Sequence, residues 1–229
     1  MTHLINRRFS ECDSVASLVE ADYDILPLLS RFSLPLGFGD ESIARLCNAS
    51  GIHPDVFLLI VNFILCGEID AERMKRVNPA DVARFLHRSH DYYLEYKLPH
   101  IRNNMIAALD PNHRDINPII LKYFDDYVES VKTHFEYEEK VLFPYVDELV
   151  AGKVNSKYSA DTFLHHHDHD VEDKIGELKN IILRYYTTSV PFKMYDVLVD
   201  IYNIEEDLKE HSDVENKILV PLTRRLEAR

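Results

Sequence analysis

Two stretches of eleven residues, HFEYEEKVLFP at residues 134–144 and HSDVENKILVP at residues 211–221, carry the same pattern. In each, a glutamate follows the first histidine by four residues, a leucine follows it by eight and a proline by ten. Residues four apart lie on one face of an α-helix, one turn from each other. Each stretch therefore predicts a helix that offers an imidazole and a carboxylate to one inward point.

Four long amphipathic segments surround these two stretches, and turn-forming residues separate them. Proline stands at or near the start of three segments, where a helix tolerates it. We expect helices at 79–109, 118–150, 160–186 and 191–227. Connections of fewer than ten residues make neighbouring helices antiparallel. The predicted fold class is therefore all-α, an up-down-up-down four-helix bundle.

The first seventy residues are built differently, because prolines and glycines interrupt short helical patterns. Residues 34–40 read as a turn, and Asp40 with Ser42 then predicts a helix start. We predict a small helical domain at 1–72 and a bundle domain at 79–229. The charged run Glu68–Arg76 between them fits a linker or a continuing helix.

The first predicted helix of the bundle offers two histidines, and the third offers four. In the first helix His90 is preferred to His87, because Leu86 and Leu94 flank it on its face. In the third helix His167 is preferred to its neighbours, since the residues that share its face are apolar and must point to the core. These residues are Phe163, Leu164, Val171, Ile175, Leu178 and Ile182.

Register and depth select the same histidines. His134 follows His90 by 44 residues, and His211 follows His167 by 44 residues. With a rise of about 1.5 Å per residue, the candidates lie about 24–36 Å from helix ends on one side of the bundle. The candidate metal ligands are His90, His134, Glu138, His167, His211 and Glu215.

Four imidazoles and two carboxylates in an apolar bundle require a cation, because unpaired buried carboxylates are costly. Nitrogen and oxygen donors without thiolate suit iron, manganese or zinc. Two carboxylates placed to bridge favour a dinuclear centre with open positions for a diatomic ligand. The alternatives are surface His–Glu pairs and a metal-free helical interaction domain.

Several further residues have two readings. Tyr93 and Tyr137 each follow a candidate ligand by three residues and are either hydrogen-bond donors to the ligands or ordinary core and interface residues. His87 and His113 fit proton relays or surface histidines. The histidine-rich start of the third helix, at 165–169, fits a solvated turn or a site of metal uptake.

The composition limits which binding partners and which cellular compartment we expect. The formal net charge of −13 argues against nucleic acid and against an anionic membrane surface. Cys12, Cys47 and Cys66 form no CxxC motif, so neither a disulfide framework nor a zinc site is expected. The N-terminus lacks a signal-peptide core, and the longest apolar run is too short to span a bilayer. We expect a cytoplasmic protein; its oligomeric state is open.

The set His90, His134-x3-Glu138, His167 and His211-x3-Glu215, with its LFP and LVP tails, resembles hemerythrin-like domains. Among these it is most similar to the di-iron proteins called repair of iron centres. The resemblance implies that the six residues hold two non-haem iron ions bridged by the two glutamates. It also implies a response to nitric oxide and to oxidative damage of iron–sulfur clusters, with O2 or NO as ligand and damaged iron–sulfur proteins as partners.

The N-terminal part resembles the small N-terminal domain of the same family through Arg31-Phe32, Leu34, the turn at Gly39, Cys47 and the helix from Asp55. That domain carries an adjacent cysteine pair in its turn, where this chain has Gly37 and Phe38. A thiol-based transfer of iron at this turn is therefore not expected. Two functions remain open: turnover of NO or O2 with support of cluster repair, or a sensor or carrier without turnover. Whether the chain is an enzyme is undecided.

Overall fold

The computed structural model describes residues 7–153, 158–164 and 170–228, and every regular element in these ranges is helical. The chain divides into two compact units. The first consists of Met1–Ser89, Tyr145–Ser159 and Asp213–Arg229, and the second of His90–Pro144 and Ala160–Ser212. The domain boundaries drawn from the sequence, 1–72 and 79–229, stay a prediction.

Five α-helices open the described part of the first unit, and polar side chains cap the start of several of them. The helices are α1 Val15–Ala21, α2 Leu26–Arg31, α3 Ile43–Ala49, α4 Pro54–Cys66 and α5 Ala71–Arg76. Ser14, Ser42 and Asp70 each accept a hydrogen bond from a backbone N–H in the first turn. Gly67, with φ of 70°, ends α4 in the left-handed conformation. The charged run predicted as a linker thus contains α5.

The long helices follow the sequence prediction closely. α6 comprises Pro79–Asp91, Tyr92–Lys97 and Leu98–Ala108; α7 comprises Asn117–Tyr137, Glu138–Leu142 and Phe143–Val150. The third predicted helix is described as α8, Ala160–Leu164, and α9, Asp170–Tyr185. α10 comprises Pro191–Val214, Glu215–Leu219 and Val220–Glu227. The all-helical bundle with a helical N-terminal part is confirmed.

The middle piece of α6, α7 and α10 is a π-helical segment, which the sequence analysis did not predict. In each case the residue after the segment donates its N–H to the carbonyl five residues earlier, and a proline follows directly. Proline has no N–H to donate, and in a regular helix its ring clashes with the carbonyl four residues back. A wider turn before Pro99, Pro144 and Pro221 lets each helix continue through its proline.

The second unit has an apolar core that α6, α7, α9 and α10 share. The core is rich in aromatic and branched residues, and its fully buried members include Phe124, Tyr127, Phe135, Leu178, Ile201 and Ile204. Ion pairs join neighbouring helices at its surface: Lys97 and Asp200 are 2.7 Å apart, and Arg102 and Asp125 are 2.6 Å apart. These contacts join α6 to α10 and to α7, the helices that carry the candidate ligands.

Asp110 joins two loops at one end of the second unit. Its carboxylate accepts hydrogen bonds from the backbone N–H of Asn112 at 3.0 Å and from the N–H and hydroxyl of Ser189 at 3.2 and 3.0 Å. Its own N–H donates to the Tyr186 hydroxyl at 2.5 Å. The hydrogen bonds from Asn112 and Ser189 stabilise the charged form and lower the pKa of Asp110 to about 2.

Among the described residues, no helix combines the length and the apolar character needed to cross a membrane.

Candidate metal centre

His90 lies on α6 shortly before its π-helical segment, and only 3% of its surface is exposed. Its ring stacks on Phe135, with centroids 3.9 Å apart and planes 12° apart, and lies 5.4 Å from the ring of Phe143. Its Nε2 is 3.0 Å from Oε2 of Glu138 and 3.3 Å from Nε2 of His211. The histidine preferred from the sequence therefore faces the predicted glutamate and a second predicted histidine.

Four of the predicted ligands come together in one group. Each of His90, Glu138, His211 and Glu215 offers one nitrogen or carboxylate oxygen, and these four atoms all lie within 4.8 Å of one another. Glu138 and Glu215 have no exposed surface, and His211 is 2% exposed. Donor atoms of this kind, at these distances from one another, can surround a metal ion.

His134 adds a fifth predicted residue through Glu138. Its Nε2 is 2.8 Å from Oε1 of Glu138, while His90 contacts the other oxygen of the same carboxylate. The His134 side chain is 18% exposed, more than those of the group of four. The buried carboxylate of Glu138 thus lies between two imidazoles from different helices. This arrangement suits a carboxylate that would bridge two metal ions.

The sixth predicted ligand, His167, lies outside the described residues, as do its neighbours His165, His166 and His169. The apolar face on which the sequence placed it is buried where it is described: Phe163, Ile175, Leu178 and Ile182 are at most 3% exposed. The choice of His167 stays a prediction.

The donor set fits a metal ion. Glu138 and Glu215 place two carboxylates in a region lined by Phe135, Tyr93 and other buried apolar residues. Burying two like charges close together is strongly unfavourable unless a cation offsets them. Two carboxylates with imidazole nitrogens and no thiolate are suitable donors for iron, manganese or zinc. His90, Glu138, His211 and Glu215 are the residues that would hold such an ion.

Glu139, which the sequence analysis missed, is part of the same site. Its Oε1 lies 2.6 Å from Nδ1 of His90, on the side of the ring opposite the group of four. Helical periodicity gives no signal for Glu139, because the residue after a core-facing glutamate points about 100° away from it around the helix axis. The adjacent acidic pair Glu138-Glu139 in the quoted motif is the signal that could have identified it.

The structure distinguishes between the two interpretations for three further residues, Tyr93, His87 and His113. Tyr93 is fully buried, donates its hydroxyl to the backbone carbonyl of Asp207 at 3.2 Å and packs edge-on against His211. It is a core residue beside the centre. His87 is exposed. His113 lies beside Tyr186 and Thr187 in the loop region, so it does not belong to the group of four.

Comparison with known families agrees with this geometry. No curated protein sequence matches the chain. Residues 80–223 match the family model described as hemerythrin HHE cation binding domain, and these residues contain both repeated motifs and all six predicted ligands. The match covers well over half of the chain and coincides with the helices that carry the buried His–Glu group. The chain therefore belongs to the hemerythrin HHE family of cation-binding domains.

Proposed function

We propose that the chain holds two iron ions and binds a diatomic ligand, O2 or NO, at that centre. The proposed ligands are His90, His134, Glu138, His167, His211 and Glu215. The observation that carries the proposal is the buried group of two imidazoles and two carboxylates within 4.8 Å, with a further imidazole on Glu138. When bound, iron with open coordination positions supplies a reversible redox couple and a binding position for a diatomic molecule.

The residues around the ligands control access of water. Phe135 and Phe143 lie against His90, and Tyr93 packs against both Phe135 and His211. Because these rings are buried and apolar, they exclude water from the imidazole side of the centre. Such surroundings favour binding of a small, weakly polar molecule over binding of a hydrated anion.

We further propose a role in the response to nitrosative and oxidative stress, with support of damaged iron–sulfur centres as the biological outcome. The support for this finer assignment is the resemblance of both parts of the chain to the repair-of-iron-centres proteins. Turnover of NO or O2 and release of iron are both compatible with six ligands of this kind.

A non-catalytic sensor or carrier of O2 or NO is the second candidate, and one observation favours it. The turn of the N-terminal part has Gly37 and Phe38 where the related proteins have two cysteines. The nearby Cys47 is fully buried, and this burial raises the pKa of its thiol to about 12. A buried neutral thiol is a poor nucleophile and a poor metal ligand, so it does not replace the missing pair.

Metal analysis and absorbance spectroscopy of the full-length protein test the proposal. The wild-type chain, reconstituted anaerobically with Fe²⁺, should retain about two equivalents of iron, whereas His90→Ala should retain less. His87→Ala is the matched control, because His87 is exposed on the same helix and should have no effect. Retention of no iron by the wild-type protein would exclude the proposed function.

Addition of NO or O2 separates the two candidates. Steady formation of product, or restoration of a damaged iron–sulfur enzyme above the level given by His90→Ala, supports turnover and repair. A reversible change in absorbance without net product supports the sensor or carrier. Identical behaviour of the wild type and His90→Ala would contradict both.

A further inference from the structure

We propose that Glu139 is a positioning residue, which holds Nδ1 of His90 so that Nε2 of the same ring faces the metal centre. The inference rests on the proposed function, since it assigns a role toward a bound metal. Glu139 is not one of the predicted ligands. It is on α7, directly after Glu138, and its side chain is 32% exposed, in contrast to the fully buried Glu138.

The first argument is the contact itself. The distance of 2.6 Å between Glu139 Oε1 and His90 Nδ1 places the two atoms within hydrogen-bond reach of each other. With the carboxylate as the acceptor, Nδ1 is the donor of this hydrogen bond. The lone pair of Nε2 is then available on the side where Glu138 and His211 lie, 3.0 and 3.3 Å away.

The second argument concerns what the aromatic neighbours of His90 leave undetermined. Stacking on Phe135, with planes 12° apart, fixes the plane of the imidazole. A flat ring stacks equally well after a 180° flip, which exchanges the positions of ring nitrogens and carbons. The aromatic neighbours therefore cannot choose the orientation that presents Nε2. The directional hydrogen bond from Nδ1 to Glu139 can.

The third argument is an asymmetry between the two motifs. The first reads His-x3-Glu-Glu, and the second reads His-x3-Glu-Asn, so Asn216 stands where Glu139 stands in the first. A carboxylate that accepts from a ligating imidazole makes the imidazole a stronger donor, and an amide does so less. The chain thus provides a charged acceptor at this position of the first motif alone.

Substitution of Glu139 in the full-length protein tests the role with Co²⁺ as the probe metal. Glu139→Ala should weaken Co²⁺ binding by about 10–100-fold, measured by competition with a chelator. Glu139→Gln should weaken it less, because the amide oxygen still accepts from Nδ1. Glu136→Gln is the matched control: Glu136 lies on the same helix, is exposed and pairs with Lys140, so affinity should stay within about twofold.

A second readout does not depend on metal. In metal-free protein labelled with ¹⁵N-histidine, the Nδ1 proton of His90 should exchange slowly with water in the wild type and in Glu136→Gln, and rapidly in Glu139→Ala. If the wild type binds no metal, the proposed function fails, while this proton still decides whether Glu139 orients His90. A slowly exchanging Nδ1 proton in Glu139→Ala, or unchanged Co²⁺ affinity in a folded Glu139→Ala, would overturn the inference. If Glu139→Ala does not fold, Glu139→Met, which keeps a similar length and offers no carboxylate or amide oxygen, takes its place: rapid Nδ1 exchange supports the inference and slow exchange overturns it.

Discussion

At the scale of single residues, Glu138 connects two imidazoles of the centre. It is fully buried, both of its oxygens contact imidazoles, and a carboxylate oxygen of Glu215 belongs to the same group within 4.8 Å. An amide in its place keeps nearly the same shape but carries no charge and has only one acceptor oxygen. One substitution, Glu138→Gln, can therefore remove the charge of this residue while nearly keeping its shape.

Glu138→Gln should weaken metal binding at least tenfold, or by about 1.4 kcal/mol, because a neutral amide oxygen is a poorer ligand than a carboxylate. The fold should persist, since glutamine fits the same space. Competition with a chelator gives the affinity, and far-ultraviolet circular dichroism gives the helix content. Glu136→Gln again serves as the control for a loss of charge on the same helix. Unchanged affinity in Glu138→Gln would remove this residue from the ligand set.

At the scale of helices, patterns in the sequence predicted the helical bundle and four residues that the structure brings together. Proline at helix starts and apolar periodicity gave boundaries within about two residues of the observed ends, as for α7 and α10. Histidine and glutamate four residues apart on one face gave Glu138 and Glu215, because helical geometry is local and regular. The contact of Glu139 with His90 links two helices, and its sequence separation of 49 residues leaves no periodic signal.

The π-helical segments were missed for a different reason. In the sequence, the prolines at positions 144 and 221 mark a repeated motif. Each also lacks a backbone N–H, and a wider helical turn precedes it. A hydrogen-bond pattern that changes over five residues does not alter which residues are apolar. Hydrophobic periodicity therefore cannot reveal it, whereas counting donors around an internal proline can.

The loop contact of Asp110 gives a prediction at the same scale. Asp110→Asn should lower the melting temperature at neutral pH by several degrees, since the charge that accepts from Asn112 and Ser189 is lost. Because folding lowers the pKa of Asp110 to about 2, its contribution is complete above the pKa of the unfolded chain, near 4, and is lost as the pH falls toward 2.

The difference in melting temperature between the wild type and Asp110→Asn should therefore shrink between pH 4 and pH 2. Thermal unfolding followed by circular dichroism over this range measures it. Asp115→Asn, an exposed position in the same loop, should match the wild type throughout. A difference that grows as the pH falls would contradict the assignment.

At the scale of the whole molecule, the buried centre couples metal binding to folding. An ion bound to the folded chain and not to the unfolded chain stabilises the fold by about 2.7 kcal/mol at a free concentration 100 times the dissociation constant. For a chain of this size, that corresponds to a rise of about 5–10 °C in melting temperature.

Addition of a strong chelator should therefore lower the melting temperature of the wild-type protein by this amount, and restoring Fe²⁺ anaerobically should reverse the change. In His211→Ala the effect of chelator should be much smaller, because a buried ligand is missing. Differential scanning calorimetry with and without chelator measures both. An equal shift in the wild type and in His211→Ala would show that the stabilising ion binds elsewhere.

The π-helical segments have a consequence for how this bundle tolerates change in length. In a regular helix, one added residue rotates everything after it by about 100° and would turn an apolar face toward solvent. A π-helical turn takes up one residue without passing that rotation on. In α7 and α10 His134 and His211 lie before such a turn, Glu138 and Glu215 are its first residues, and the final helical piece follows it. The helix after the turn can therefore face its neighbours at a different rotation from the helix before it. Core residues beyond Pro144 and Pro221 can then be replaced without moving His134 and His211.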